Sequence, residues 1–596
     1  MVKVLTDGNG KVYFTQGGSA LLGNDMGDDT VVATGSTEPR TLANRFADVI
    51  NVKDFGAVGD GVTDDTVAFQ AAVDYATQHG GGVIYGKGLF LIGNVIIKSN
   101  VSITSMTIKC KILSTDFANV GACFIFDTNC ENSSVYNCDF DGDSTNQTTN
   151  YVCGIILNGN NNSIENCNLI NIKRNAIQLE PGVTWCNVKN NYIFNTGRFG
   201  ISHGYSNSLV SSYCKIINNY IENTGNAAIA AIAGIETTDE SAGISYFEIS
   251  NNVIKNTGLI ETGGGIGGYS KNNQYINITN NMIDTTSNHG IHFGGKYINI
   301  TNNTFKNITN ECIFIRNWPN INGYASIASN ITISNNIIDT VTSASQGYGI
   351  ALNNAQKFVI NGNTVSNTNY AGIYIKGKNL NSDIRCSNGI ITNNQINLIT
   401  GRGICIDNSD SINVVANTIY DVSSHGIITD NSSYILISNN NINGSANNAH
   451  GIYIDNSSET DETKGITISY NNIINKAIGI YIPHSHNRII IRDNILYNNI
   501  AGTQTITNPT QGIIDSSAGY KLSGGGSANV VNGSTITHNL NATPTKYQIT
   551  AKNANRIAII TSVDSQYLTV GLTDLQGNAI TTAESVNWIA SATVGN

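Results

Sequence analysis

The sequence predicts an all-β chain: a right-handed parallel β-helix with a short N-terminal capping helix and a C-terminal β-sandwich-like module. Three observations predict it. Charged residues make up 12% of the 596 residues, while Gly, Asn, Ile, Ser and Thr are abundant; that charge share is about half the usual one and suits strands and turns. A phrase near Asn-Asn-x-Ile recurs, usually after an alternating strand such as Ile-x-Ile. A second phrase, Gly-Ile-x-Ile, follows most copies of the first by 7 to 13 residues.

The repeat sets the architecture. Taking the second Asn as anchor gives Asp139, Asn168, Asn191, Asn219, Asn252, Asn281, Asn303, Asn336, Asn363, Asn394, Asn417, Asn440, Asn472 and Asn494. The shortest spacings are 22 and 23 residues and the longer ones run from 27 to 33. A unit of about 22 residues with loop insertions is one coil of a parallel β-helix. Asn tolerates a left-handed turn, and stacked Asn side chains can hydrogen-bond between coils. In strands such as Gly372-Ile373-Tyr374-Ile375 and Gly451-Ile452-Tyr453-Ile454, alternation turns the flanking apolar residues inward and the middle one outward. A leucine-rich repeat would need regular Leu, and a propeller blades of about 40–45 residues; neither pattern is present.

The coils are expected over 101–503, with 51–100 as a capping segment. Val67 to His79 is the clearest helical stretch, with Ala68, Ala71, Ala72, Tyr75 and Ala76 on one apolar face. Thr63 or Asp64 can cap it and Asp65 complements its dipole. Such a helix is a natural lid for the bare core at the end of a β-helix. The stretch 504–526, ending in Leu522-Ser523-Gly524-Gly525-Gly526-Ser527, reads as a linker. Alternating strands at 548–551, 557–562 and 567–572 make 527–596 a small β-sandwich, in which His538 is expected to be structural.

Charge and cysteine usage exclude several function classes. The net charge is −10 and Lys and Arg form no cluster, so a nucleic-acid partner is not expected. No apolar run reaches the roughly 18–20 residues of a membrane span. The eleven cysteines are scattered without metal-ligand spacing and are expected as free thiols in the core of a protein made in a reducing cytosol. No cofactor and no metal are expected.

The segment Asn51-Val52-Lys53-Asp54-Phe55-Gly56-Ala57-Val58-Gly59-Asp60-Gly61-Val62-Thr63-Asp64-Asp65-Thr66 resembles the opening signature of the pectate-lyase-like superfamily. Polygalacturonases, many phage tailspikes and capsule depolymerases share it. Glu38-Pro39-Arg40-Thr41-Leu42-Ala43-Asn44-Arg45-Phe46-Ala47-Asp48 resembles the neck before that signature in tailspikes, which makes 35–50 a neck and 1–34 a reduced particle-attachment segment. The region around Ser534–Leu540 and Trp588–Ala590 resembles C-terminal tailspike modules. The resemblance implies a homotrimeric phage tailspike, attached through its N-terminus to a phage tail or baseplate protein. It would be made in the bacterial host cytoplasm, carried on the virion, and act at the host cell surface on a capsular or O-antigen polysaccharide. The polygalacturonase motifs Asn-Thr-Asp, Gly-His-Gly and Arg-Ile-Lys are absent, and Asp-Asp pairs lie only at 28–29 and 64–65, so a pectin-type hydrolase is disfavoured.

The region from coil 234 to coil 376 is the best groove candidate. Two carboxylates in one groove can hydrolyse a glycosidic bond, and Glu236 as acid with Asp239 or Glu240 as partner is the first expectation. One coil can be aligned on Ala228 or on Gly234, and the second choice turns Glu236 outward. His292, Arg316, Trp318, Tyr324, Tyr374 and Lys376 supply aromatic rings for sugar faces and charges for hydroxyls or acidic substituents. A β-eliminating lyase would instead use Tyr374 or His292 as base, with Arg316 or Lys376 neutralising a uronate. A non-catalytic adhesin would use the same groove without an acid pair. Asp407, Asp430 and Asp455 read as turn residues, and His289, His425 and His450, at one repeated position, as structural.

Overall fold

The computed structural model describes residues 3–6, 12–15, 30–32, 37–41, 49–115, 120–204, 209–230, 243–268, 270–316, 327–377, 385–444, 449–455, 464–483, 487–499, 504–506, 511–515, 523–538, 540, 543–544, 546–564 and 566–591. Three long parallel sheets wind around one core, as the repeat requires. Each coil gives one strand to each sheet and pairs with its successor in register, as in Ile331↔Phe358, Ile338↔Val365 and Ile350↔Ile373. The core is a continuous column of Ile, Val, Leu and Phe that includes nine cysteines, and all eleven cysteines are buried as free thiols.

The turn between the first and second sheets explains the Asn phrase. Its first residue is left-handed, as at Asn190 (φ 58°) and Asn335 (φ 55°), where a short polar side chain is tolerated. Its second residue is buried in an amide ladder. Asn303 Nδ2 donates to Asn336 Oδ1 at 3.0 Å, and Asn336 Nδ2 to Asn363 Oδ1 at 2.9 Å. Each Oδ1 also accepts the backbone N–H of the ladder residue one coil before, and each Nδ2 also donates to a backbone carbonyl of that coil. Three anchors fall one residue late. Cys138, Cys167 and Asn471 occupy the ladder position, while Asp139, Asn168 and Asn472 open the next strand. The glycine of Gly-Ile-x-Ile has its own cause. A Cβ on Gly426 would lie 2.6 Å from the carbonyl oxygen of Gly451, and one on Gly451 2.6 Å from that of Gly479.

At the N-terminal end, the helix Thr66–Gln78 covers the first coil. Its buried face is Ala68, Phe69, Ala72, Val73 and Ala76, with Ala71 exposed; the larger Phe and Val take the core and turn the face away from Ala71. Asp64 caps the Thr66 N–H at 3.0 Å. Asp65 is held by the Val58 and Gly59 N–H groups at 2.6 and 3.1 Å, pinning the loop before the helix. The stack begins before 101, since Gly82–Tyr85, Leu89–Ile92 and Val95–Ile97 already pair with coil strands. It also runs past 503. Gln504–Ile506 and Gln511–Asp515 extend two of the sheets, and the strand Ser523–Val530 begins inside the expected linker. Glycine there is compatible with pairing because the Trp588–Ile589 backbone passes close to Gly525.

Two three-stranded antiparallel sheets form the C-terminal sandwich-like module around Leu568, Val570, Leu572, Val586 and Trp588. His538 is fully buried, its Nδ1 accepting the Leu540 N–H at 3.0 Å.

Candidate glycan groove on the third sheet

The third sheet has 16 strands among the described residues, and its outward side chains form three rows along the helix axis. The first row precedes the Gly-Ile phrase: His289, Glu311, Tyr348, Ala371, Arg402, His425 and His450. The middle row is His292, Phe314, Ala351, Tyr374, Cys405, Ile428, Tyr453 and Tyr481. The third row is Arg316, Asn353, Lys376, Asp407, Asp430 and Asp455. Neighbours within a row come from paired strands, so they stand about 4.8 Å apart. The pairings Asn353↔Lys376, Lys376↔Asp407, Asp407↔Asp430 and Asp430↔Asp455 make the third row a ladder from cation to carboxylates.

A cleft of about 610 Å³ opens over these rows. His292, Arg316, Tyr374 and Lys376, four of the sequence-predicted residues, all line it. Trp318 and Tyr324 lie outside the described residues, as do Glu236, Asp239 and Glu240. Of the two alignments open for this coil, the described residues follow the one on Ala228. The coil strand is Ile229–Ala230, paired to Ile201–Ser202 before it and Ile266–Gly267 after it, so the alignment on Ala228 holds and Ala230 takes the outward place.

Inside the cleft, Glu311 is 5% exposed and lies 3.0 Å from His289 Nδ1. A buried carboxylate is costly without a partner, and His289 supplies one. The His292 ring packs 4.6 Å from Phe314 and 4.7 Å from His289. Burial, then His289 and Arg316, hold the His292 imidazole well below its ordinary range, so it is neutral at physiological pH. Tyr348 and Tyr374 stack at 4.8 Å, with Lys376 Nζ 5.9 Å from the Tyr374 ring. The Tyr374 hydroxyl donates to Asp407 Oδ2 at 3.2 Å. Burial, with Cys405 and Asp407 nearby, pushes that phenol far above its usual range.

Beyond the cleft the carboxylates are perturbed together. Burial raises Asp407 in spite of Lys376 and the Tyr374 hydrogen bond. Burial, then the charges of Asp407 and Asp455, push Asp430 up to about 6. A carboxylic acid protonated near pH 6 beside ionisable neighbours is the arrangement that separates an acid from a base. Sequence reasoning took this ladder for turn chemistry and His289 for structure. The signal was available: three Asp at one outward position, on consecutive coils. Glu311 could not be read, because nothing in the sequence says that it faces His289 across a coil.

Comparison with known proteins agrees with this architecture. Residues 324–474 match the family described as "Right handed beta helix region", and residues 49–238 match "Rhamnogalacturonase A/epimerase, pectate lyase-like". Residues 233–397 match "Periplasmic copper-binding protein (NosD)". Among the described residues, no group of three or more His, Cys, Asp or Glu side chains is placed to hold a metal ion. Alginate lyase 7 of Azotobacter vinelandii is 53% identical over 62 residues, 9% of this chain and 7% of that protein; the shared stretch is thus a small part of either. A tailspike protein mutant of E. coli bacteriophage HK620, solved in complex with pentasaccharide, is 14% identical at a TM-score of 0.47, covering 96% of this chain and 98% of that one. The Yersinia enterocolitica family 28 exopolygalacturonase is 13% identical at a TM-score of 0.43, covering 70% and 78%. The opening segment of the expected signature, the three in-register parallel sheets and the family matches over both halves of the coils agree on one architecture, the right-handed parallel β-helix.

Proposed function

We propose that the protein is a phage tailspike that binds and depolymerises a bacterial surface polysaccharide, capsule or O-antigen, along the outward face of the third sheet. One observation carries this reading. A single cleft joins aromatic faces (Phe314, Tyr348, Tyr374) and cations (Arg316, Lys376), and the perturbed carboxylates Asp407 and Asp430 continue the same outward face beyond it, tied to it by the Tyr374–Asp407 hydrogen bond. Rings take the apolar faces of sugars, charges take hydroxyls and acidic substituents, and paired carboxylates cut glycosidic bonds.

Hydrolysis is the reaction favoured. Two carboxylate sets are candidates: Glu236 with Asp239 or Glu240, and the ladder Asp407–Asp430–Asp455. In the ladder, Asp430 is the acid and a flanking Asp the base or nucleophile. Neighbouring coils about 4.8 Å apart suit the retaining separation of roughly 5–5.5 Å, and the outer pair, two coils apart, the inverting range of roughly 6.5–9.5 Å. β-Elimination is weaker on one point: Tyr374, the phenolic base it would use, is half-buried and donates a hydrogen bond to Asp407, which disfavours the ionised form. By the same reading the protein is a homotrimer, attached to the phage tail through its N-terminus.

The test is incubation with capsule and O-antigen from a panel of bacterial strains, following product size, reducing ends and ultraviolet absorbance of unsaturated uronates. New reducing ends without that absorbance are expected. Absorbance would establish a lyase, and tight binding without shortening an adhesin.

A further inference from the structure

A second cavity, of about 730 Å³, lies over the N-terminal coils of the same outward face. It is separated from the groove by the coil strands Ile229–Ala230 and Ile266–Gly268. From Ile201–His203 to Ile291–Phe293 is three coil steps, about 14 Å at 4.8 Å each. The floor is Ile125, Ile156, Gln178 and Ser202, in the middle row, and Phe199 beside it adds an apolar wall.

Two arginines enter it from adjacent coils. The Arg198 N–H donates to the Arg174 carbonyl at 2.9 Å, so the two side chains start one strand spacing apart. Arg174 is 8% exposed, and its Nε has no hydrogen-bond partner among the described residues. Its guanidinium sits 4.9 Å over the Tyr151 ring, and that of Arg198 sits 4.7 Å over the Phe199 ring. No ion pair joins either guanidinium to a carboxylate among the described residues. The carboxylate in the cavity, Glu180, is hydrogen-bonded by Gln178 instead. Ser202, 4% exposed, also has a hydroxyl without a partner among the described residues.

Among the described residues, Glu180 is the one carboxylate whose charge reaches Arg174, and Gln178 holds it out of an ion pair; a buried guanidinium without an ion-paired counter-charge is costly, and a second one beside it adds repulsion. An anion in the cavity relieves both. We infer that this cavity is a second glycan subsite, which takes a carboxylate-bearing sugar residue between Arg174 and Arg198. The inference rests on the polysaccharide reading above and adds a substrate class to it: an acidic glycan that spans both cavities. The planar guanidinium fork matches a carboxylate in two parallel hydrogen bonds. The apolar floor and wall take the sugar ring, and Gln178 and Ser202 its hydroxyls. Glu180 in the same space tells against the higher charge of a phosphate monoester.

The test uses the full chain and a panel of capsular and O-antigen polysaccharides, some containing uronate and some neutral. The tightest uronate-containing binder is also chemically reduced at its carboxyl groups. Carboxyl reduction is expected to weaken binding by about tenfold or more, the scale of one charge-assisted hydrogen bond. Arg174→Gln and Arg198→Gln are each expected to weaken binding of the native glycan by a similar factor, and not to weaken the reduced glycan further. Arg198 is the less buried of the two, and its variant together with Arg174→Lys separates lost recognition from lost folding, checked by an unchanged melting temperature. The inference is overturned if a neutral glycan binds tightest, if no acidic glycan binds, or if the Arg198→Gln variant binds like the parent. Binding that survives carboxyl reduction but not removal of phosphate would assign the site to phosphate and overturn it equally. Size analysis of the same samples keeps the two readings apart. Glycan bound through the arginines yet not shortened defeats only the depolymerase, and glycan shortened with equal affinity in both variants defeats only the subsite.

Discussion

At the scale of the residue, the buried Asn ladder and the outward Asp ladder use the same in-register stacking for opposite ends. Asn336 is fully buried and satisfied on every side: its Oδ1 accepts from Asn303 N and Nδ2, and its Nδ2 donates to Ile300 O and Asn363 Oδ1. Asn336→Ala orphans these groups where water cannot replace them, and is expected to cost roughly 1–3 kcal/mol. Asn472→Ala, one place past the ladder with a single 3.3 Å side-chain bond, is expected to cost well under that. Chemical denaturation of the two variants checks the corrected register directly. The Asp ladder carries charge instead, and its middle member is perturbed most. The Asp430 carboxyl titrates at about 6 in the folded chain against an ordinary 3.8. A raised folded value means that the folded state holds its proton more tightly, so stability is lost as pH rises from about 4 through about 6. Asp430→Asn removes that loss. Its melting temperature is expected to exceed the parent's at pH 7–8, with the gap closing below about pH 4. If Asp430 is the acid, the same substitution abolishes depolymerisation, and parent activity falls as pH rises above about 6.

At the scale of the element, stacking recurs at positions that carry no repeated Asn or Gly letter. The turn entering the first sheet places Trp185, Tyr213, Tyr246, Tyr275 and Tyr297 on consecutive coils, with ring centroids 4.3–4.7 Å apart and planes within 5–7°. Each of these residues is left-handed, with φ between 54° and 57°, a conformation uncommon for aromatic residues. The stack offsets that strain. Tyr246→Asn keeps a residue that tolerates the left-handed turn and deletes two ring contacts. It is expected to cost about 1 kcal/mol net and to diminish the near-ultraviolet dichroism of the stack. Periodic elements of this kind are legible, because one interaction repeated over many coils leaves a repeated letter: the ladder Asn, the Gly before Ile, the inward Ile. The groove is less so. His292, Arg316, Tyr374 and Lys376 could be collected into one cleft because their strands carry the Gly-Ile phrase or a close variant of it. Glu311, Tyr348 and Asp407 join them through contacts across coils, and the length of the inserted loops hides such contacts. The arginine cavity left no pattern, since Arg174 and Arg198 lie outside both phrases and gain meaning only from burial without a counter-ion.

At the scale of the whole molecule, a parallel stack is quasi-one-dimensional, each coil touching only its neighbours. Its exposed ends are therefore where it opens, and the helix Thr66–Gln78 is placed against one of them. Phe69 is the side chain that ties this helix to the stack. It is fully buried, edge-on to Phe90 at 5.1 Å and 6.2 Å from Phe124, which is itself edge-on to Phe140 at 5.7 Å. Four rings thus run from the cap into the second and third coils. Phe69→Ala is expected to cost about 3–5 kcal/mol locally, as large-to-small core changes do. The loss should stay local. Hydrogen exchange is expected to speed up in Gly82–Tyr85, Leu89–Ile92 and Gly121–Phe126, and to remain at parent rates in Lys464–Ser469 and Ile478–Ile482. Uniform acceleration along the whole stack would show that the coils unfold as one cooperative unit and that the helix guards all of them. Confinement to the first coils would leave the glycan groove, many coils away, folded and active in a chain whose lid is open.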